Sequence, residues 1–358
     1  MNVLDYIYYY GNYTFKDKPF NEIDNVIFSL LSYVDFNGIL SKNRKNKLTI
    51  NEAGKIYFLT HSKKTDKINI LAIRRGIEVL KSVKDSRRFK DILMYNYSYI
   101  GTESSQFSAV TFDITDKVSY IAFEGTDQLI SGWKEDLKMA YTFPVLAHEY
   151  AINYINKRFN FSTRKLIIGG HSKGGNLAQV AAMYSKSGIK RRILNVYSND
   201  GQGLRKKELE SKYYKSIENR FIHIIPQNSV VGLLLRHSGY YIIVKSNAGA
   251  VLSHDAVTWE VNHDRFKREK LSKFSKILDD GVTKWLDRYD DKKREIFVEN
   301  IFSILEENNI KTLIEIKKHK NLIFKIIKSS KDLDPIVKEM FVELLKIINE
   351  TNKEYYLF

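Results

Sequence analysis

The chain has 358 residues, 43% of them hydrophobic and 28% charged, which suits one large domain or two and excludes disorder as the main state. It contains no cysteine, so a disulfide framework, a thiol nucleophile, cysteine-ligated zinc and iron–sulfur clusters are all excluded. The net charge of +16 is uneven, because residues 151–250 hold 17 basic against 4 acidic side chains, and that region either solubilises the fold or attracts an anionic surface.

No basic segment followed by an apolar run opens the sequence, and no window of 18 residues is both apolar and uncharged. A cytoplasmic protein is expected. Residues 1 to about 95 read as largely helical, with helices over 20–31 and 69–82. Residues 108–114 and 118–123 are β-rich runs joined by a short polar turn, a hairpin. Apolar strands at 165–169, 193–198, 220–225 and 239–245 then alternate with helical stretches, of which 175–187 is rich in small residues. This alternation predicts an α/β fold, with a mostly parallel sheet covered by helices on both faces. From about residue 265 the period is helical, at 298–305, 321–328 and 336–348. The expected division is an α/β domain over 1–265, with its helical N-terminal segment, and an all-α region over 266–358.

The strongest chemical signal is Gly170-His171-Ser172-Lys173-Gly174, a G-x-S-x-G pattern set between a buried strand and a small-residue helix. That context makes Ser172 a nucleophile on a sharp turn, with the Lys173 amide at a helix start, where donors face developing negative charge. A phosphate-binding turn is the bland alternative. The serine needs a base. Of eight histidines, His171 is adjacent and reads as structural, and His223 alternates within a strand. His237 and His254 remain, and His254 is preferred because it follows the last strand in a loop. A second signal is Phe123-Glu124-Gly125-Thr126-Asp127, with Trp133, Asp136 and Leu137 following. There a strand ends in a turn whose Thr126 hydroxyl and amide are candidate oxyanion donors.

Taken together, F-x-G-T-D, W-x-x-D-L and G-H-S-x-G-G-x-L-A resemble the class 3 lipase pattern. The closer resemblance is to the Mbeg-like bacterial α/β-hydrolases, a family of unknown substrate. It rests on Pro19 to Asp24, Gly170 to Asn176, Pro226 to Leu234, and His254, Asp255 and Trp259, and it covers roughly residues 1–265. The resemblance implies an α/β-hydrolase fold, Ser172 as nucleophile, His254 as base, and Thr126 and the Lys173 amide as oxyanion donors. The lipase position for the acid falls at Gln227-Asn228-Ser229, where no carboxylate stands. Asp200, one strand earlier at the same edge of the sheet, is the first alternative, and Asn228 or Ser229 orienting the histidine is the second. Asp255 reads as structural.

No metal motif, P-loop or dinucleotide fingerprint is present, so no cofactor is expected. The function this implies is cleavage of an acyl or lipid ester; Trp133 to Leu146 read either as a lid or rim over an acyl chain or as core. Thioester, amide or peptide substrates on the same scaffold remain open. So does a catalytically silent module that binds an anionic membrane surface or a protein partner. The basic region lacks the interleaved aromatics of nucleic-acid binders, and no nucleic acid is expected.

Overall fold

Long runs of β-branched and aromatic residues fold into one sheet of eight strands in the computed structural model. The structure describes all residues except 43–45, 62–69, 103–104, 127–129, 240, 309, 311–333 and 357–358. The strands are β1 (Leu48–Thr49), β2 (Leu93–Gly101), β3 (Gln106–Asp113), β4 (Val118–Phe123), β5 (Lys165–His171), β6 (Ile193–Asn199), β7 (Phe221–Pro226) and β8 (Tyr241–Val244). They lie side by side in sequence order. Pairing is antiparallel from β1 to β4 and parallel from β4 to β8, so the sheet is mostly parallel. This is an α/β-hydrolase-type fold with a helical C-terminal segment. Strand β2 departs from the sequence reading, which placed no strand there. Its alternation is broken by a register shift between Tyr95 and Ser98, where Asn96 takes a φ of 55°.

The sequential order has a consequence for packing. Right-handed crossovers between parallel neighbours, always stepping the same way, put every connection on one face. That face is covered by α6 (Leu146–Arg158) and α7 (Lys173–Met183), which bury Ile121, Phe123, Leu166 and Ile168 of the sheet. Two C-terminal helices, α8 (Lys273–Arg288) and α10 (Pro335–Tyr356), add Trp285, Leu286, Met340 and Ile347 to the same core.

The opposite face is covered by the N-terminal helices α1 (Val3–Tyr10), α2 (Glu22–Leu31), α3 (Ile50–His61) and α4 (Leu71–Val83). Here Tyr120, Ala122 and Ile167 point the other way, and Phe28 of α2 packs on Phe112 and Tyr120 at ring distances of 4.8 and 5.3 Å. Nearly every residue of α2 is buried. A two-stranded ribbon, Val261–Asn262 with Arg265–Phe266, closes this layer, and Arg268 forms an ion pair with Glu22 at 2.6 Å.

Helices α5 (Ile130–Lys138) and α9 (Asp291–Glu307) pack together. Trp133, Leu137 and Tyr141 meet Val298, Phe302 and Leu305, so this part of the expected lid or rim is interior to a helix–helix contact. The helix expected at 321–328 lies outside the described residues. Among the described residues no helix is long and apolar enough to cross a membrane.

Three arginines of the basic region each stand directly before a parallel strand and bind backbone carbonyls. Arg164 donates to the carbonyls of Thr115, Asp116 and Val118, Arg192 to those of Phe159 and Arg164, and Arg220 to those of Lys190 and Ile193. All three sit at the edge where the strands begin.

Candidate active site

Strand β5 ends at His171, and the chain turns directly into α7, with Ser172 between them at φ 59°, ψ −134°. A non-glycine residue in this region is strained, and the turn is accommodated because the residues two positions away on each side, Gly170 and Gly174, have no side chains. A Cβ at Gly170 would fall 2.3 Å from the Gly174 carbonyl carbon, and one at Gly174 would fall 2.1 Å from the Phe123 oxygen. The two glycines therefore let the turn close against β4. Ser172 N–H donates to Asn199 O at 3.0 Å, which ties the turn to β6. Lys173 is the first residue of α7, so its amide belongs to the first turn, which a helix leaves without internal partners.

The side chain of Lys173 is buried and forms an ion pair with Glu135 of α5 at 2.7 Å. Glu135 also accepts from the Ala147 amide. Asn176, one turn on, accepts from His148 Nε2 at 2.7 Å and donates to Gly203 O at 2.7 Å. The helix start that carries Ser172 is thus fixed from α5, α6 and the loop after β6.

That loop begins with Asp200, wholly buried, at φ 47°. Its carboxyl group accepts from Ser229 Oγ at 2.5 Å, from Gly232 N–H at 3.1 Å and from His254 Nδ1 at 2.7 Å. With Nδ1 donating, His254 Nε2 is left as the acceptor, the tautomer a general base needs. Of the residues weighed for orienting the histidine, Asp200 is the one in contact with it. Ser229 instead holds Asp200, and Asn228 donates to Ala248 O at 3.4 Å.

His254 ends a short 3-10 turn, Ala250–His254, and its ring stands 4.5 Å from that of His171, the residue preceding Ser172. Ser172 and His254 are not hydrogen-bonded to each other here. Such contacts often tighten only when substrate binds. The rings of His237 and His223 stand 4.4 Å from each other, with their nitrogens buried. Asp255 accepts from Arg75 Nε at 2.8 Å.

The Gly125-Thr126 turn adjoins Ser172, since a Cβ at Gly125 would lie 3.0 Å from Ser172 Cβ. The Thr126 hydroxyl is committed, however, donating to Asp136 Oδ2 at 2.7 Å. Only the Thr126 amide is left to face an oxyanion, and the motif aspartate is explained as the anchor of this turn. Burial raises the Asp136 pKa to about 6, against the pull of Lys173. Asp127 lies outside the described residues.

Sequence reasoning missed Glu135, His148 and the Thr126–Asp136 bond. The Trp133, Asp136, Leu137 pattern was the one available signal, and it pointed at the last of these. Among the described residues no cluster of three or more histidines, aspartates or glutamates is arranged to hold a metal.

The model of the family described as Mbeg1-like matches residues 83–303, more than half of the chain. The chain belongs to the Mbeg1-like family. No curated protein matches the sequence. Solved structures similar to this Mbeg1-like chain include M37 lipase, at 13% identity and a TM-score of 0.37, covering 60% of this chain and 70% of that one. Another is the native propeptide complex of Rhizomucor miehei lipase, at 14% identity and a TM-score of 0.35, covering 63% and 68%.

Proposed function

We propose that this Mbeg1-like protein is a serine hydrolase that cleaves a carboxylic ester, of an acyl or lipid type, through an acyl-enzyme. The observation that carries the reading is the buried Asp200 on His254 Nδ1, beside a serine held at positive φ on a strand-to-helix turn. Ser172 Oγ attacks the ester carbonyl while its proton passes to His254 Nε2. The amides of Lys173 and Thr126 receive the oxyanion. Collapse expels the alcohol, protonated by His254, and water then releases the acid by the same steps in reverse.

Fluorophosphonate labelling tests this directly. Wild type should label and hydrolyse short p-nitrophenyl esters, and Ser172→Ala and His254→Ala should do neither. Asp200→Asn should keep the fold and lose about 10⁴-fold in kcat, because the amide stabilises the wrong imidazole tautomer. Comparing oxygen esters, thioesters and amides then sets the substrate class. A folded wild type that never labels would sink the hydrolase reading, and binding to anionic vesicles that survives Ser172→Ala would point to a binding module.

A further inference from the structure

Behind the candidate site, two side chains that are hydrogen-bonded to neither Ser172 Oγ nor the His254 ring nitrogens form a connected chain. Tyr33, just beyond α2, has its hydroxyl 2.9 Å from His171 Nδ1. His171 Nε2 in turn lies 2.7 Å from the backbone carbonyl oxygen of His254. A carbonyl can only accept, so Nε2 carries the proton and Nδ1 must accept from Tyr33. Both partners are thereby fixed. Burial, and then the nearby His254, push the His171 pKa down to about 3, so the ring stays neutral and keeps both bonds at neutral pH.

The His254 segment needs such support. It is a single 3-10 turn in the connection after β8, and Asp200 grips only one nitrogen of the ring. The rest of its anchorage comes from elsewhere. Trp259 Nε1 donates to Ser253 O at 2.8 Å, and Arg75 of α4 holds Asp255. Tyr33 and Arg75 both belong to the N-terminal layer, outside the span matched by the family model.

We propose that Tyr33 and His171 are positioning residues, which set where the His254 imidazole stands over Ser172 by fixing the His254 backbone carbonyl. The proposal rests on the reading of Ser172 and His254 as nucleophile and base. It makes the helical layer on the far face of the sheet a determinant of reactivity at the strand ends. An error of about 1 Å in the placement of a reacting group costs on the order of 10²-fold in rate, so the chain need not touch substrate to matter.

The test compares Tyr33→Phe, His171→Leu and His171→Gln with wild type, using p-nitrophenyl butyrate hydrolysis, fluorophosphonate labelling rate and melting temperature. Leucine removes the donor, whereas the glutamine amide nitrogen can reach where Nε2 stood. His171→Leu should lose about 10- to 100-fold in kcat with KM little changed, and labelling should slow in parallel. His171→Gln should recover most of that loss, and Tyr33→Phe, the milder change, should fall between them. A folded Tyr33→Phe or His171→Leu protein as fast as wild type would overturn the proposal. So would a glutamine variant as slow as the leucine one, or a loss confined to KM. In each of these cases active wild type leaves the hydrolase reading standing. A wild type that neither labels nor hydrolyses overturns that reading, and the positioning role with it.

Discussion

His148 accepts from the Val145 amide at Nδ1 and donates to Asn176 from Nε2, whereas neither ring nitrogen of His223 finds a partner. Burial lowers the pKa of His148 and His237 to about 4, that of His171 to about 3, and that of His223 well below its ordinary value. In the unfolded chain each titrates near 6.5. Below that pH the unfolded state binds more protons, so the stability these groups allow is complete above about 6.5 and drains away towards pH 4. Asp136 and Asp279, both raised to about 6, and Asp24, raised by burial, act in the opposite sense above their ordinary value, but they are three against four. The urea midpoint should therefore fall as pH is lowered from 7 to 5. An orphaned buried polar group costs roughly 1–3 kcal/mol, so His223→Leu should raise the midpoint at pH 5 and flatten its pH dependence. An unchanged slope would show that His223 takes no part. At this scale Ser172, His254 and Asp200 could be picked out as candidates because each follows a strand in the sequence. Tyr33 was not, since nothing local marks a tyrosine that meets His171 across 138 residues.

Among the elements, α2 shows how much a short motif can specify. Asn21 caps the helix, accepting from the Ile23 and Asp24 amides, while Asp24 reaches back to the Asn21 amide. Asp24 also forms a fully buried ion pair with Arg88 at 2.6 Å, and Arg88 donates to the carbonyls of Tyr13, Thr14, Lys18 and Pro19. Removing one partner leaves a buried charge uncompensated. Arg88→Met should thus cost about 3–5 kcal/mol in urea unfolding, and a loss below about 1 kcal/mol would mean that the loop before α2 holds itself. The parallel strands could be read because burial on both faces makes them continuously apolar. Strand β2 could not, because its bulge breaks the period, and α6 carries only a weak apolar stripe. The arginines before β5, β6 and β7 looked like surface charge, yet each binds backbone carbonyls that no charge count reveals.

At the scale of the whole molecule, the single direction of strand progression leaves one face of the sheet dependent on residues far away in sequence. A protein trimmed to residues 83–303 would keep the elbow, Asp200 and His254 while exposing Phe112, Tyr120 and Ile167. It should aggregate or bind hydrophobic dyes, and adding a separate 1–82 peptide should restore solubility only in part. A monomeric, sharply melting 83–303 protein would contradict this account. The charge bias also changes meaning here, because Arg164, Arg192 and Arg220 lie at the strand starts, the edge opposite Ser172. The uneven composition was legible, but its place in the fold was not.

The ribbon at 261–266 completes the layer that begins with the first helix, and the Val261 amide donates to the Met1 carbonyl at 2.7 Å. Helices α1 and α2 precede the sheet they cover; α2 packs on α4 as well as on β4 and β5, which come later in the chain, and the ribbon comes later still. Until those strands are made, α2 has α1 and α4 to pack on but not the sheet, and the closing contacts of this layer span almost the whole hydrolase-like unit. Loop closure over such distances makes folding slow. The nascent chain therefore passes through an interval with the sheet-facing side of α2 uncovered, which is where a holdase chaperone would find its binding site.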